Sequence, residues 1–312
     1  MAVLSEQESH LGSTKRTQKN VSKHLFGNGR FLALNHNLIT VLLGLAVSLS
    51  WGAGDFSGGL ATRRANVMSV VIPAYAMGIA LLIALALVWS EPFPSALDMF
   101  WGTVAGLAGA VGLVAFYQAL AVGRMGITAP IAAVLAAALP VIFSAFFVGL
   151  PSLLQLTGFV LALIAVWFIS RPERATGRPE GLGLALLAGL GFGSFFILID
   201  QVSLHAIFWP LAAAKLSSLI FMLAIVLIRR QEVLPKKSAF PLVLLAGTLD
   251  VAGNAFFVLA THSGRLDVAA ILSSLYPAVT VILARIFLKE RLTRFQAIGI
   301  IFALVAIPLI SV

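Results

Sequence analysis

Lys215 and Asp250 pose the first chemical question, because each stands near the middle of a long apolar run. An ionisable group at the centre of a bilayer costs roughly 2.5–3.5 kcal/mol on insertion scales, so it is functional by default. A lysine ammonium can hold a carboxylate, and an aspartate can take a proton or an amine. Asn254 follows Asp250 by one helical turn and projects from the same face. Asp55 follows Trp51 by one turn in an earlier run, and Tyr117, Gln118, Ser194 and Tyr276 interrupt three others. These nine residues form a candidate set for binding a small polar solute. Plainer roles stand beside that one. Lys215 and Asp250 can neutralise each other as a structural pair, and Asp55 can cap a helix or line a mouth. The aromatic rings can pack or anchor at the interface. Asp200, Arg285 and Glu290 lie at the ends of runs, where reaching the interface explains them.

Other chemistries lack their residues. There is no cysteine, which excludes disulfides, thiolate nucleophiles and cysteine metal sites. The five histidines, His10, His24, His36, His205 and His262, form no metal-spaced pair. The sequence supplies neither a nucleophile–base pair nor paired acidic ligands, so no enzyme activity, metal or cofactor is expected. It also lacks a Walker motif, so energy for any transport must come from gradients.

The elements that must position these residues follow from composition. Of 312 residues 60% are hydrophobic and 11% charged, with a mean hydropathy of +1.03. Soluble domains carry about 25% charged residues, so the bilayer is the expected solvent. The net charge of +9 is scattered over connectors and tail, which reads as membrane topology and not as a nucleic-acid surface. Residues 1–36 form a polar basic tail, expected to be disordered, without the apolar core of a secretory signal. Beyond it lie ten apolar runs: 38–61, 68–90, 99–121, 127–148, 153–170, 181–202, 207–228, 240–261, 266–288 and 293–312. About 20 residues cross the hydrocarbon as a helix, so the fold class is an all-α integral membrane protein of ten spans. Pro130, Pro140, Pro210 and Pro277 are expected to kink helices around a cavity. Gly102, Gly106, Gly109 and Gly112 are expected to let the third span pack closely.

The spans divide into two copies. Sliding the sequence by 141 residues sets Gly106 on Gly247, Gly112 on Gly253, Phe116 on Phe257, Gly123-Arg124 on Gly264-Arg265, Gln155 on Gln296 and Gly158 on Gly299. At 139, Gly52-Ala53-Gly54-Asp55-Phe56 parallels Gly191-Phe192-Gly193-Ser194-Phe195. The predicted domains are a first five-helix repeat, 37–170, a linker, 171–180, and a second repeat, 181–312. An odd helix count inverts the copies, which is the architecture of secondary transporters. Fourteen Lys and Arg fall on one face and six on the tail's face. The positive-inside rule then puts both termini outside, although the basic tail argues against translocation. Asp250 and Asn254 face Gly109 and Leu113 in the other copy, so any site is asymmetric.

Ser50-Trp51-Gly52, Ser273-Ser274-Leu275-Tyr276-Pro277, Leu288-Lys289-Glu290-Arg291-Leu292-Thr293, Gln296 and Gly299 together resemble the EamA-type transporters of the drug/metabolite transporter superfamily. The likeness covers residues 38–312. One departure is that Gly149 replaces the family's acidic residue in the first copy. The resemblance implies a secondary active carrier in the cell membrane, an exporter of a small polar metabolite such as an amino acid, coupled to protons or exchange. It equally admits a sugar or drug carrier; a duplicated structural or lipid-handling membrane protein is the rival from another class. The expected partners are the solute and the bilayer, with no nucleic acid; the sequence does not give the oligomeric state, a monomer being one option.

Overall fold

The structure is a computed structural model that describes residues 29–63, 65–122, 125–170, 181–230, 237–289 and 291–311. The first 28 residues of the tail, the 171–180 linker and Glu290 lie outside them. Among the described residues every span is helical and no strand occurs. The helices are α1 (Gly29–Thr62), α2 (Val67–Val88), α3 (Ala96–Val122), α4 (Met125–Phe147), α5 (Leu153–Ser170) and α6 (Leu182–Asp200). They continue with α7 (Phe208–Arg229), α8 (Phe240–Ser263), α9 (Leu266–Ser273), α10 (Tyr276–Phe287) and α11 (Arg294–Ile310). Among the described residues nine stretches are long and apolar enough to cross a membrane, counting α9 and α10 together, and α11 is a shorter apolar helix. The helix of α1 begins at Gly29, ahead of the expected boundary, but its membrane-length part starts at Asn37.

The predicted ninth span is two helices. Its chain turns at Ser274 and Leu275, and Pro277 opens α10, where its missing N–H is no loss. The other prolines behave differently. Pro130 and Pro140 stay inside a continuous α4. Pro210 lies in the first turn of α7, so it bends nothing; its backbone instead lies against Gly102.

The helix contacts recur in matched pairs. Where α1 packs on α8, α6 packs on α3; where α3 packs on α7, α8 packs on α2; where α4 packs on α6, α9 and α10 pack on α1. The fifth helices of the two copies, α5 and α11, pack on each other. Residues explain this. A Cβ on Gly158 would meet Ile310 at 2.7 Å, and one on Gly299 would meet Ile169 at 2.7 Å. Both helices start with the same reciprocal cap. Gln155 N donates to Ser152 Oγ and Ser152 N to Gln155 Oε1 (3.1 and 3.2 Å); Gln296 and Thr293 repeat this at 3.1 and 3.0 Å. The expected close packing of α3 is also observed. Gly102 and Gly106 meet α7 backbone at Pro210 and Ala214, and Gly112 meets α6 at Ala188 and Phe192. Large apolar side chains such as Leu42, Leu49, Leu87, Phe146 and Leu304 point outward, as lipid solvation requires.

One face is stitched shut by polar side chains. Glu91, in the connector between α2 and α3, accepts from the amides of Ile207, Phe208 and Trp209 at the start of α7 (2.9–3.3 Å). Asp98 accepts from Ser203 N (2.8 Å) and Ser203 Oγ (3.2 Å). Arg265 donates to Gly149 O (2.8 Å) and pairs with the fully buried Asp267. His262 Nε2 lies 3.2 Å from Val202 O, and Asp200 meets Thr261. Beneath this latch lies a dry core that includes Val47, Leu211, Phe257, Val258, Leu266 and Ala269.

Candidate functional site

The site is assembled where α7 and α8 bring their charges together. Lys215 Nζ donates to Asp250 Oδ2, and Asn254 Nδ2 donates to Asp250 Oδ1 at 3.1 Å and to the Asp250 carbonyl at 2.7 Å. Both carboxylate oxygens are therefore engaged. The Lys215 side chain is 7% exposed and that of Asp250 34%, so the aspartate is the partner reachable from outside the pair. Gly78 of α2 seats the lysine stem: a Cβ there would lie 3.0 Å from Lys215 Cδ and 3.1 Å from Cε. One turn earlier, Tyr75 places its ring 4.3 Å from the ammonium, a cation–π contact. Ser217 and Ser218 turn their hydroxyls back to backbone carbonyls, including Thr103 O and Gly106 O of α3, which fixes α7 beside the pair.

Asp55 lies across from the pair on α1. Gly52, Phe56 and Gly54 fix the rotation of this helix. Gly52 lies against Tyr276 and Val279 and Phe56 against Phe287, all on α10, while Gly54 lies against Leu249 and Asp250 N of α8. At 100° per residue Asp55 then points between α8 and α10, away from the lipid-facing Leu42 and Leu49. Its side chain is exposed. Tyr75, Tyr117 and Tyr276 are half-buried and lie within electrostatic range of Asp55. Asp55 and Asp250 lie within electrostatic range of each other.

Trp51 lies one turn nearer the latched face than Asp55. Its ring stacks on Phe196 (5.7 Å) and Phe257 (6.0 Å) and meets Tyr276 edge-on at 6.4 Å. Gly59, one turn beyond Asp55, has nothing within 4 Å of where a Cβ would stand.

Seven of the nine predicted residues, Lys215, Asp250, Asn254, Asp55, Trp51, Tyr117 and Tyr276, converge here. Gln118 and Ser194 are half-buried, and no hydrogen bond among the described residues joins them to the cluster. Tyr75 was missed. It was one aromatic in an apolar run; the available signal was that it is one of only three tyrosines in the chain. Among the described residues no group of His, Asp and Glu is spaced to hold a metal ion.

The comparisons with known proteins agree with this architecture. The EamA-like transporter family matches residues 179–312, the second copy. An uncharacterized protein of Methanocaldococcus jannaschii is 30% identical over 131 residues, which is 42% of this chain and 94% of that protein. A solved structure, described only as "Crystal structure of protein", shares the fold with a TM-score of 0.74 and 17% identity. It covers 86% of this chain and 95% of its own. With nine stretches long and apolar enough to cross a membrane among the described residues, one shorter apolar helix, and a family match over residues 179–312, the chain belongs to the EamA-like transporter family and is a multi-pass membrane transporter of the drug/metabolite type.

Proposed function

We propose that the protein is a secondary active exporter of a small polar metabolite of the amino-acid or related class, coupled to protons or to exchange. The observation that carries this reading is the Lys215–Asp250 pair at mid-depth, with the lysine side chain 7% exposed and the aspartate 34%. A charged pair in a membrane is costly unless partnered. A proton or the solute's amine on Asp250 frees Lys215 for a carboxylate, which gives two states of different charge balance. Asn254 keeps Asp250 in place, and Trp51 closes the floor. Gln118 and Ser194 complete the lining when the helices move.

The repeats 37–170 and 181–312, joined at 171–180, rock about the pair. In the cell membrane the Arg-rich connectors face the cytoplasm, with both termini outside. On this reading the site loads from the side of Arg63, the cytoplasm, as an exporter must. Metabolite profiling of cells with and without the protein, followed by uptake into proteoliposomes across an imposed pH gradient, tests this. A solute that accumulates outside only when the protein is present, and moves with the gradient, supports it; pH-independent leakage equal to empty liposomes contradicts it.

A further inference from the structure

Resting on the transport reading, we propose that Tyr75 is a positioning residue whose ring holds the Lys215 ammonium in place when Asp250 is neutralised, so that a solute carboxylate finds it there. The ammonium has few partners. Among the described residues its one hydrogen bond is to Asp250, and the Tyr75 ring faces it at 4.3 Å. The lysine side chain is 7% exposed, so water replaces little of a lost counter-ion. Transport requires Asp250 to give up the pair, and a buried charge left alone is strongly unfavourable. The ring is what remains.

The lysine stem is also held. A Cβ on Gly78 would lie 3.0 Å from Lys215 Cδ, 3.1 Å from Cε and 3.2 Å from Val251 Cγ2, so the stem rests on α2 beside α8. Tyr75 and Gly78 stand three residues apart and share one face of α2. One helix thus carries both the seat and the ring. Ser217 and Ser218 spend their hydroxyl protons on backbone carbonyls of α3 and α7. The helices packed on α7 are α2, α3 and α8. Their titratable groups are Tyr75 and Asp250, which meet the ammonium, and Tyr117, in electrostatic range of Tyr75. Asp98 and His262 belong to the latched face. Asp55 of α1 acts on Asp250 through its charge.

Attraction between a desolvated cation and a ring face weighs about tenfold or more in an equilibrium. It belongs to the face and not to the hydroxyl. Phenylalanine at this position therefore keeps most of it, and leucine has none.

The test labels lysine with 13C at Cε in the purified full chain and assigns the Lys215 signal by its loss in Lys215→Met. A carbon held over a ring face is displaced upfield. The displacement is expected in wild type and in Asp250→Asn, where the carboxylate charge is gone. It should persist in Asp250→Asn with Tyr75→Phe and vanish in Asp250→Asn with Tyr75→Leu. Acetate, the simplest carboxylate, is then titrated into the same three Asp250→Asn proteins. Its Kd, read from the Lys215 signal, should be about tenfold weaker or more with Tyr75→Leu than with Tyr75→Phe. Loss of the displacement in Asp250→Asn alone, equal acetate affinity in the two Tyr75 variants, or a Lys215 signal that ignores acetate overturns the proposal. The first of these needs no change at Tyr75, so it stands even where Tyr75→Leu does not fold. None of them needs transport. Ring-dependent acetate binding in a protein whose liposomes leak no more than empty ones sinks transport and keeps the role of Tyr75. Gradient-driven transport with equal acetate affinities keeps transport and sinks that role.

Discussion

The carboxylate of Glu91 caps α7 through Phe208, whose amide donates to both of its oxygens at 2.9 and 3.2 Å. The bond joins the first copy to the second, and it places a negative charge at a helix N-terminus, where the dipole favours it. Phe208 lies two turns before Lys215, so the cap holds the same helix that carries the site's ammonium. Opening this face requires the cap to part.

Glu91→Gln removes that charge and is expected to lower stability by about 1–2 kcal/mol, since hydrogen bonds to a charged acceptor are worth about 1.5–3 kcal/mol each and the amide still accepts one. It should also open the latched face. The chain has no cysteine, so a reporter at Ala206, 2% exposed, can be followed cleanly. Faster maleimide labelling in Glu91→Gln than in wild type is the expected result; equal rates with unchanged stability would show that the cap is incidental.

Gly253 makes room for Trp51, whose Cδ1 and Nε1 occupy the space a Cβ would need. The indole cannot retreat, because Phe196 and Phe257 hold it. Gly253→Ala should therefore displace the ring, with an overpacking cost of about 1–3 kcal/mol, and slow transport beyond what the loss of stability explains. Tryptophan fluorescence of the variant checks the displacement. An unchanged spectrum would mean that α1 and α8 yield instead of the ring.

Gly158 and Gly299 occupy reciprocal positions where α5 crosses α11, and each faces an isoleucine of the other helix. Alanine at either site should cost about 1–3 kcal/mol. Because each stands far from the cavity, transport per folded molecule should stay near wild type. Similar drops in the two variants by thermal unfolding would confirm the symmetric crossing, and a loss in one alone would contradict it.

Much of this was legible in sequence, for physical reasons. Span length follows from hydrocarbon thickness, so the boundaries were close, and the matched glutamines and glycines proved to be twin caps and a twin helix crossing. Pro277 announced the break after Ser273. What stayed hidden depends on partners distant in the chain. Glu91 stands in a connector, and its acceptor role needs the amides of Ile207 to Trp209, far off in the chain. Tyr75 read as one more apolar residue because nothing local shows that Lys215 comes to rest over its ring. Pro210 misled because its position within the helix, in the first turn, decides whether it bends anything.

The most direct test of the account compares two variants in proteoliposomes, using the solute found by metabolite profiling. In Asp250→Asn the aspartate loses its charge, and pH-driven transport should vanish while the protein remains folded in the membrane. In the double variant Lys215→Met with Asp250→Leu both charges are gone and folding should persist, since an apolar replacement of a buried pair is often neutral or stabilising. The account predicts that this folded double variant carries no solute. Full transport by it would mean that Lys215 and Asp250 only hold the helices together, and would contradict the central claim.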